Sequence, residues 1–451
     1  MDPAQSLLVF VVAAPGAVFA LLALCWLAGW TPGERLVSRI TGAVFAASVP
    51  ALTAIVWKLA ASGQTAVTVA FGNWFTVADY HFPLVLMADR LSLTFLAMTV
   101  LLSGLIGRFS TTYLHRERGF LRFFLLLHLF AFGSLLAFSA ASFDLLAAGW
   151  EVVGITSVLL IAFFQQRSAP VENALRVFGI YRACDIGLLV ALFALHHWTG
   201  TASFDRTLPA LRGAQPAILS ILLLIAAAGK AAQVPFSGWL PRAMEGPTPS
   251  SAIFYGAISI HAGAYLLLRA QPILAQSPTV CVLVAAVGLA TAIHGTMAGR
   301  ASSDAKTSLA YASLTQVGVV FVEIAFGWTA LAIAHILGHA MVRTLQFLRA
   351  PSMLHDYHKM ESAVGGELAP TGKHLEAMLP GRLQLWLYRW ALDRGHLDTI
   401  LDRWAIHPLV VVSRFFSRLD RIGLAGSAPR RQETASSIHG VAGRSAGMVG
   451  K

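Results

Sequence analysis

The stretch Gly229–Gly263, GKAAQVPFSGWLPRAMEGPTPSSAIFYGAISIHAG, decides how the chain is read. Lys230 sits inside an otherwise apolar helical run, and Pro235 then removes a backbone donor and breaks that helix. A polar loop with Pro241, Glu245, Pro247 and Pro249 follows, then a second apolar helix. An ammonium at membrane depth beside an interrupted backbone ladder is costly, and such groups mark ion or substrate routes.

The membrane setting follows from composition. The chain has 451 residues, 56% hydrophobic and 12% charged, where soluble domains carry about 25% charge. It therefore reads as an all-α polytopic membrane protein. Apolar runs of the required ~20 residues fall near 7–30, 38–62, 84–107, 120–141, 143–165, 173–198, 216–240, 249–271, 278–298, 306–327 and 329–349, about eleven spans with the one at 216–240 broken at Pro235. Gly63–Pro83 alternates apolar and polar residues and predicts an extramembrane hairpin. The first run, Leu7–Trp30, lacks a basic leader and predicts a span rather than a cleaved signal peptide. Cys25, Cys184 and Cys281 lie in apolar runs without metal or redox spacing and read as packing residues.

Basic residues predict orientation. Arg35, Arg39, Arg108, Arg116, Arg118, Arg122, Arg167, Arg242, Arg300 and Lys306 fall on one side; only Arg206, Arg212 and Arg269 fall on the other. That asymmetry predicts N-terminus outside and C-terminus inside, as for a bacterial inner-membrane protein. It also accounts for the net charge of +11 without nucleic acid. Three regions are expected: a transmembrane domain over 1–350, an interfacial amphipathic region over 351–424, and a polar disordered tail over 425–451.

The Gly229–Gly263 stretch resembles the signature of the proton-conducting transporter family, which includes the antiporter-like subunits of respiratory complex I and the large subunit of Mrp-type sodium/proton antiporters. The likeness runs from about Trp74 to about Gly366 and implies an antiporter-like fold. In that family a Trp-Glu glutamate works with the buried lysine, which here implies Glu151 with Lys230. The residues alone leave Glu151 either as a carboxylate pairing with Lys230 or as a helix-end acid facing water. Burial favours the neutral form of any amine and a neighbouring carboxylate favours the charged form, so such a pair can pass a proton where an arginine could not.

The other intramembrane charges each carry two readings. Arg182 and Asp185 share a helix face at i, i+3, as a structural ion pair or as groups tuning Lys230; the resemblance matches this spacing. His335, His339 and Arg343 lie along one stripe and read as a hydrated proton path, as packed histidines, or as a metal pair lacking the HExxH glutamate. The family usually has a lysine where this chain has Arg343, which stays charged and can bias a neighbour without releasing a proton. It usually has a histidine at Tyr255 and a small polar residue at His261, so the resemblance implies a displaced wire through His261, or through Tyr255 and water; His261 reads equally as a packed histidine. Lys306 matches a family lysine and reads as that or as a snorkelling end residue. Glu323 reads as a relay or an outer-end acid, Asp144 as a solvated loop acid.

Leu345–Met360, LQFLRAPSMLHDYHKM, and the amphipathic region that follows resemble the membrane subunits of DAB-type inorganic carbon accumulation complexes. That resemblance implies a cytoplasmic zinc-containing partner related to β-carbonic anhydrase, docking on Leu383–Ile422, and cation flow coupled to carbon dioxide or bicarbonate uptake. The alternatives are a proton-pumping subunit of a respiratory or hydrogenase complex and a sodium/proton antiporter module. The family's last buried-lysine helix has no counterpart after the His335–Arg343 run, which implies a shortened version completed by a partner. No haem, flavin, nucleotide, iron–sulfur or zinc motif is present, so the expectation is a transporter subunit without its own cofactor, in contact with lipid, any catalysis residing on the partner.

Overall fold

The computed structural model describes residues 1–77, 80–205, 210–364 and 380–401, with scattered positions between 403 and 418. Residues Met1–Asp398 form one compact unit and Thr399–Lys451 another. The helical assembly and the site lie in the first.

Helices α1 (Pro3–Leu27) and α2 (Glu34–Ser62) come first. A hairpin of β1 (Ala66–Val77) and β2 (Tyr80–Asp89) follows. Helices α3 (Arg90–Tyr113), α4 (Phe120–Phe138), α5 (Phe143–Ile161), α6 (Ser168–Thr199) and α7 (Gln215–Lys230) come next. Then come α8 (Thr248–Arg269), α9 (Pro278–Arg300), α10 (Ala305–Ala325) and α11 (Thr329–Val364). A shorter helix, α12, spans Gly381–Leu392. The eleven expected spans correspond to α1–α11. Ten of these are long and apolar enough to cross a membrane, and α7, with 16 residues, is shorter.

Three boundaries depart from expectation, each for a backbone reason. The hairpin continues to Asp89, because residues 85–89 pair antiparallel with Ala66–Ala70; the third span therefore starts at Arg90 rather than 84. Asp89 marks the change by capping α3, accepting from the Ser92 amide at 2.8 Å. The second departure is α7, which ends at Lys230, before Pro235 is reached. Ala232 takes a positive φ of 53°, and the Val234 amide leaves the ladder to donate to Thr291 Oγ1 at 2.9 Å. Third, α11 runs helically to Val364, so the boundary expected at 350 falls inside it. The tail expected from 425 lies outside the described residues.

Small residues set how closely the helices approach. A Cβ on Gly149 of α5 would lie 2.5 Å from the Ala137 amide and 2.6 Å from the Gly133 carbonyl of α4. Gly288 of α9 and Gly318 of α10 stand in the same relation to each other's carbonyls. Such contacts suit helices in lipid, where backbone proximity replaces the hydrophobic drive. Outward faces carry exposed Leu24, Trp57, Leu175, Phe193, Val282 and Met341, the surface an acyl phase would cover. α8 is buried along its length. Its middle, Ala252–Ala257, is a π-segment in which the Ile258 amide reaches back to the Ile253 carbonyl at 2.8 Å.

These packing distances predict that Gly149→Val will overpack the α4–α5 contact and destabilise the protein by about 1–3 kcal/mol. Gly42→Ala, with open space around its Cα, should leave thermal unfolding in detergent nearly unchanged.

Candidate functional site

Lys230 is the final residue of α7, at the carbonyl end of the helix, where the backbone dipole favours a cation. Its side chain is 1% exposed. The ammonium donates to the Trp150 carbonyl of α5 at 3.1 Å. It lies 4.8 Å from the centroid of the Trp150 ring and 4.6 Å from that of Tyr181 on α6, within the range of cation–π attraction. Gly154 makes the room: a Cβ there would sit 2.9 Å from Lys230 Nζ.

The carboxylates stand one step back. Glu151 pairs with Arg182. Arg182 also binds Asp185 at 2.7 Å, and Asp185 accepts from Trp150 Nε1 at 2.6 Å. The direct Glu151–Lys230 pairing expected from sequence is thus corrected: Arg182 occupies Glu151, and among the described residues Lys230 has no carboxylate in ion-pair contact. The reason is steric and electrostatic. A guanidinium fork can hold two carboxylates at once, while the rings and Gly154 confine the ammonium to the other side of Trp150. Two carboxylates and two cations balance, with Lys230 and Asp185 buried and Glu151 and Arg182 half-buried, which limits the charging cost.

A second cluster joins α8 to α10 and α11. His261 donates from Nδ1 to the Ala257 carbonyl, and its Nε2 meets His339 Nδ1 at 3.0 Å. In a neutral His261 the Nε2 then accepts and His339 donates. That leaves His339 Nε2 as a buried lone pair with no partner among the described residues. His335 bonds Glu323 at 2.9 Å and Gln316 at 3.0 Å. The two helix-neighbour histidines therefore serve different partners, which removes the metal-pair reading. Glu323 is buried on His335 rather than a free outer-end acid.

Between the clusters run aromatic and polar contacts. Trp239 donates to the Gly229 carbonyl at 2.9 Å and packs on Tyr181 and Tyr255, with centroids 5.0 and 5.6 Å away. Gly256 of the π-segment lies against Arg343 and Thr344 backbone of α11. The Ser251 and Tyr255 hydroxyls, Thr344 Oγ1 and Arg343 Nε are buried without a partner among the described residues. Lys306 does not simply snorkel: it donates to the Met244 and Gly246 carbonyls at 2.8 and 2.9 Å, tying down the loop after the break. Asp144 is not a solvated loop acid either; it sits in the first turn of α5 on His196, at 3.0 and 3.1 Å.

The sequence carries no signal for Tyr181 or Gln316 and only a weak one for Gly154. Gly154 was in view, one turn from Glu151 on the same face. Gln316, and His335 as the partner of Glu323, emerge only when α10 and α11 are taken as an antiparallel pair turning at Gly327.

Comparison with known proteins agrees with this architecture. The family described as NADH:quinone oxidoreductase/Mrp antiporter, transmembrane, matches residues 140–371, and the complex I chain 5 N-terminal family matches 74–124. NADH-ubiquinone oxidoreductase chain 5 of Schizophyllum commune is 34% identical over 302 residues, 66% of this chain and 44% of that one. NADH-quinone oxidoreductase subunit L of Mycobacterium tuberculosis is 33% identical over 292 residues, 64% of this chain and 46% of that one. The chain spans about half the length of the curated relatives it matches. A chain of the Mrp complex of Dietzia sp. superposes with a TM-score of 0.66 at 25% identity, covering 83% of this chain and 40% of that one. A chain of the archaeal membrane-bound sulfane sulfur reductase gives the same TM-score at 17% identity, over 76% and 70% of the two chains, a likeness of fold alone.

Fold and buried charges together define an antiporter-like polytopic membrane protein. The chain belongs to the NADH:quinone oxidoreductase/Mrp antiporter transmembrane family.

Asp185→Ala strips one partner from Arg182 and leaves the buried Trp150 N–H unpaired. The expected loss of stability is about 1.5–3 kcal/mol, read as a lower unfolding temperature in detergent, with exposed Asp205→Ala as the unchanged control.

Proposed function

We propose that this protein is the proton-conducting membrane subunit of a multisubunit complex of the Mrp and complex I kind, with its N-terminus outside and C-terminus inside a bacterial inner membrane. The single observation that carries the reading is Lys230, buried at the interrupted end of α7 and separated from its carboxylates only by Trp150 and Arg182. In this reading Lys230 is the exchanging group. Glu151, Arg182 and Asp185 set the field around it, and a shift of Arg182 between the two carboxylates changes how strongly the ammonium is held. Tyr255, His261, His335, His339 and Arg343 form the second part of the path. The buried hydroxyls between the clusters need partners that the described residues do not supply, and water is the natural one. The open lone pair of His339 Nε2 gives a proton somewhere to land, while Arg343 contributes fixed charge. Lys306 holds the loop beside the path.

A second reading, coupling of this flow to inorganic carbon uptake through a zinc-containing β-carbonic-anhydrase-like partner, rests on the Leu345–Met360 resemblance and on α12. That helix exposes Leu385, Trp386, Tyr388 and Leu392 on the surface where such a partner would dock. Purifying the tagged complex separates the two. Zinc in a co-purifying subunit, with air-sensitive growth of a Lys230→Met strain rescued by high carbon dioxide, supports the carbon reading; flavin or iron–sulfur subunits support the respiratory one.

The shared claim is tested by proton flux into proteoliposomes under a potassium diffusion potential. Lys230→Met and Glu151→Gln should reduce flux to the protein-free level. Gly154→Ala, which displaces the ammonium without changing any charge, should lower it by roughly tenfold or more. Undiminished flux in a folded Lys230→Met protein would overturn the proposal.

A further inference from the structure

The chain returns to the broken helix from a direction the ion path does not require. Beyond α12, the turn Arg394–His396 delivers Asp398 onto the loop that follows Lys230. The Asp398 carboxylate meets Arg242 Nη1 at 2.8 Å, Arg394 at 3.7 Å and Arg176 of α6 at 3.8 Å. It fills the place where a Cβ on Gly238 would stand, so the loop and the carboxylate are fitted to each other. Arg242 also donates to the Gly238 carbonyl at 2.9 Å, closing a ring of contacts around that glycine.

From Gly238 the contacts lead inward without a gap. Its neighbour Trp239 donates to the Gly229 carbonyl and packs on Tyr181, whose ring lies under the Lys230 ammonium. Gly229 in turn is packed against Cys184, beside Asp185. The far side of the loop is held by Lys306 and by Arg167 on Glu245 at 2.8 Å.

We propose that Asp398 is a positioning residue, a latch that holds the 236–245 loop against the Lys230 cluster and keeps bulk water away from that end. The role assigned to the cluster rests on the ion-path reading above; the latch itself does not. Release of the segment carrying Asp398, by a partner or by movement of α12, frees Arg242 and Gly238, loosens Trp239 and opens the interrupted end of α7. Five groups face the carboxylate with charge or a titratable atom: Arg176, Arg242, Arg394, His294 of α9 and Tyr311 of α10. Burial pushes the Asp398 carboxyl up, but the hydrogen bond and charge of Arg242, with Arg176 and Arg394, more than offset it and hold it below the ordinary carboxylate value. For a depressed acid the contribution is present above the unfolded value and is lost only as pH falls through the lower folded one. The latch thus stays charged at every physiological pH and is released mechanically rather than by protons.

Native Cys184 reports the opening. In the purified complex in nanodiscs, with Cys25→Ser and Cys281→Ser, a water-soluble cationic thiosulfonate should label Cys184 slowly. Asp398→Asn should raise that rate by about tenfold, the scale expected for losing one charge-assisted contact. Arg242→Ala should do the same, and the double variant should add little to either single one. Gly238→Ala, whose methyl occupies the carboxylate's place without altering charge, should also raise it. Its φ of −66° accepts alanine without strain, which keeps the test open should Asp398→Asn fold poorly. Labelling unchanged from wild type in folded Asp398→Asn and Gly238→Ala proteins would overturn the latch. Flux that survives Lys230→Met would instead overturn the ion-path reading and leave the labelling result standing.

Discussion

An ammonium kept out of water without touching a carboxylate is the constraint from which the rest of the structure follows. Lys230 is stabilised by a backbone carbonyl, two ring faces and the end of its own helix. Each of these is a fixed dipole or quadrupole, weaker than a counter-ion and unable to take the proton. The counter-ions exist, but Arg182 engages them first. The amine is therefore held by neutral groups rather than by a counter-ion in contact, among the described residues. α7 stops at Lys230, and its Gly229 carbonyl accepts from Trp239 Nε1 of the loop that follows. Gly154 must lack a side chain, because the ammonium passes directly over it.

Much of this was legible in the sequence. Hydropathy separates the spans because a crossing helix pairs its own backbone and must present apolar side chains to lipid over ~20 residues. Lys230, Glu151, Arg182 and Asp185 stood out because charges are rare in such runs, and the structure gathers all four. What sequence could not supply was the order of contact within the cluster. Glu151 and Lys230 face the same region, yet which cation wins the carboxylate depends on Arg182's reach across a helix turn and on the width of Trp150. The end of α7 was misjudged for a related reason. Proline marks where a helix cannot continue, but the backbone turned away earlier, using Thr291 of another helix as a partner for Val234. The hairpin strand was read as the start of α3 because residues 84–88 are apolar in either conformation.

The family match covers most of the helical assembly and ends before α12. The family match ends at residue 371, while α12 and Asp398 lie beyond it. The matched range takes in α5–α11 and with them Glu151, Arg182, Asp185 and Lys230.

α8 is fastened at both ends. Arg269 grips Asp89 and Ser92 at one end, and at the other Tyr113 meets Thr248 while Lys306 holds the carbonyl of Gly246 just before it. Its only irregular turn lies between, at the π-segment. A rod clamped top and bottom cannot slide as a piston, so strain in it must appear as twist. A rearrangement that keeps both grips is taken up at the π-segment, between the two ends and beside Tyr255.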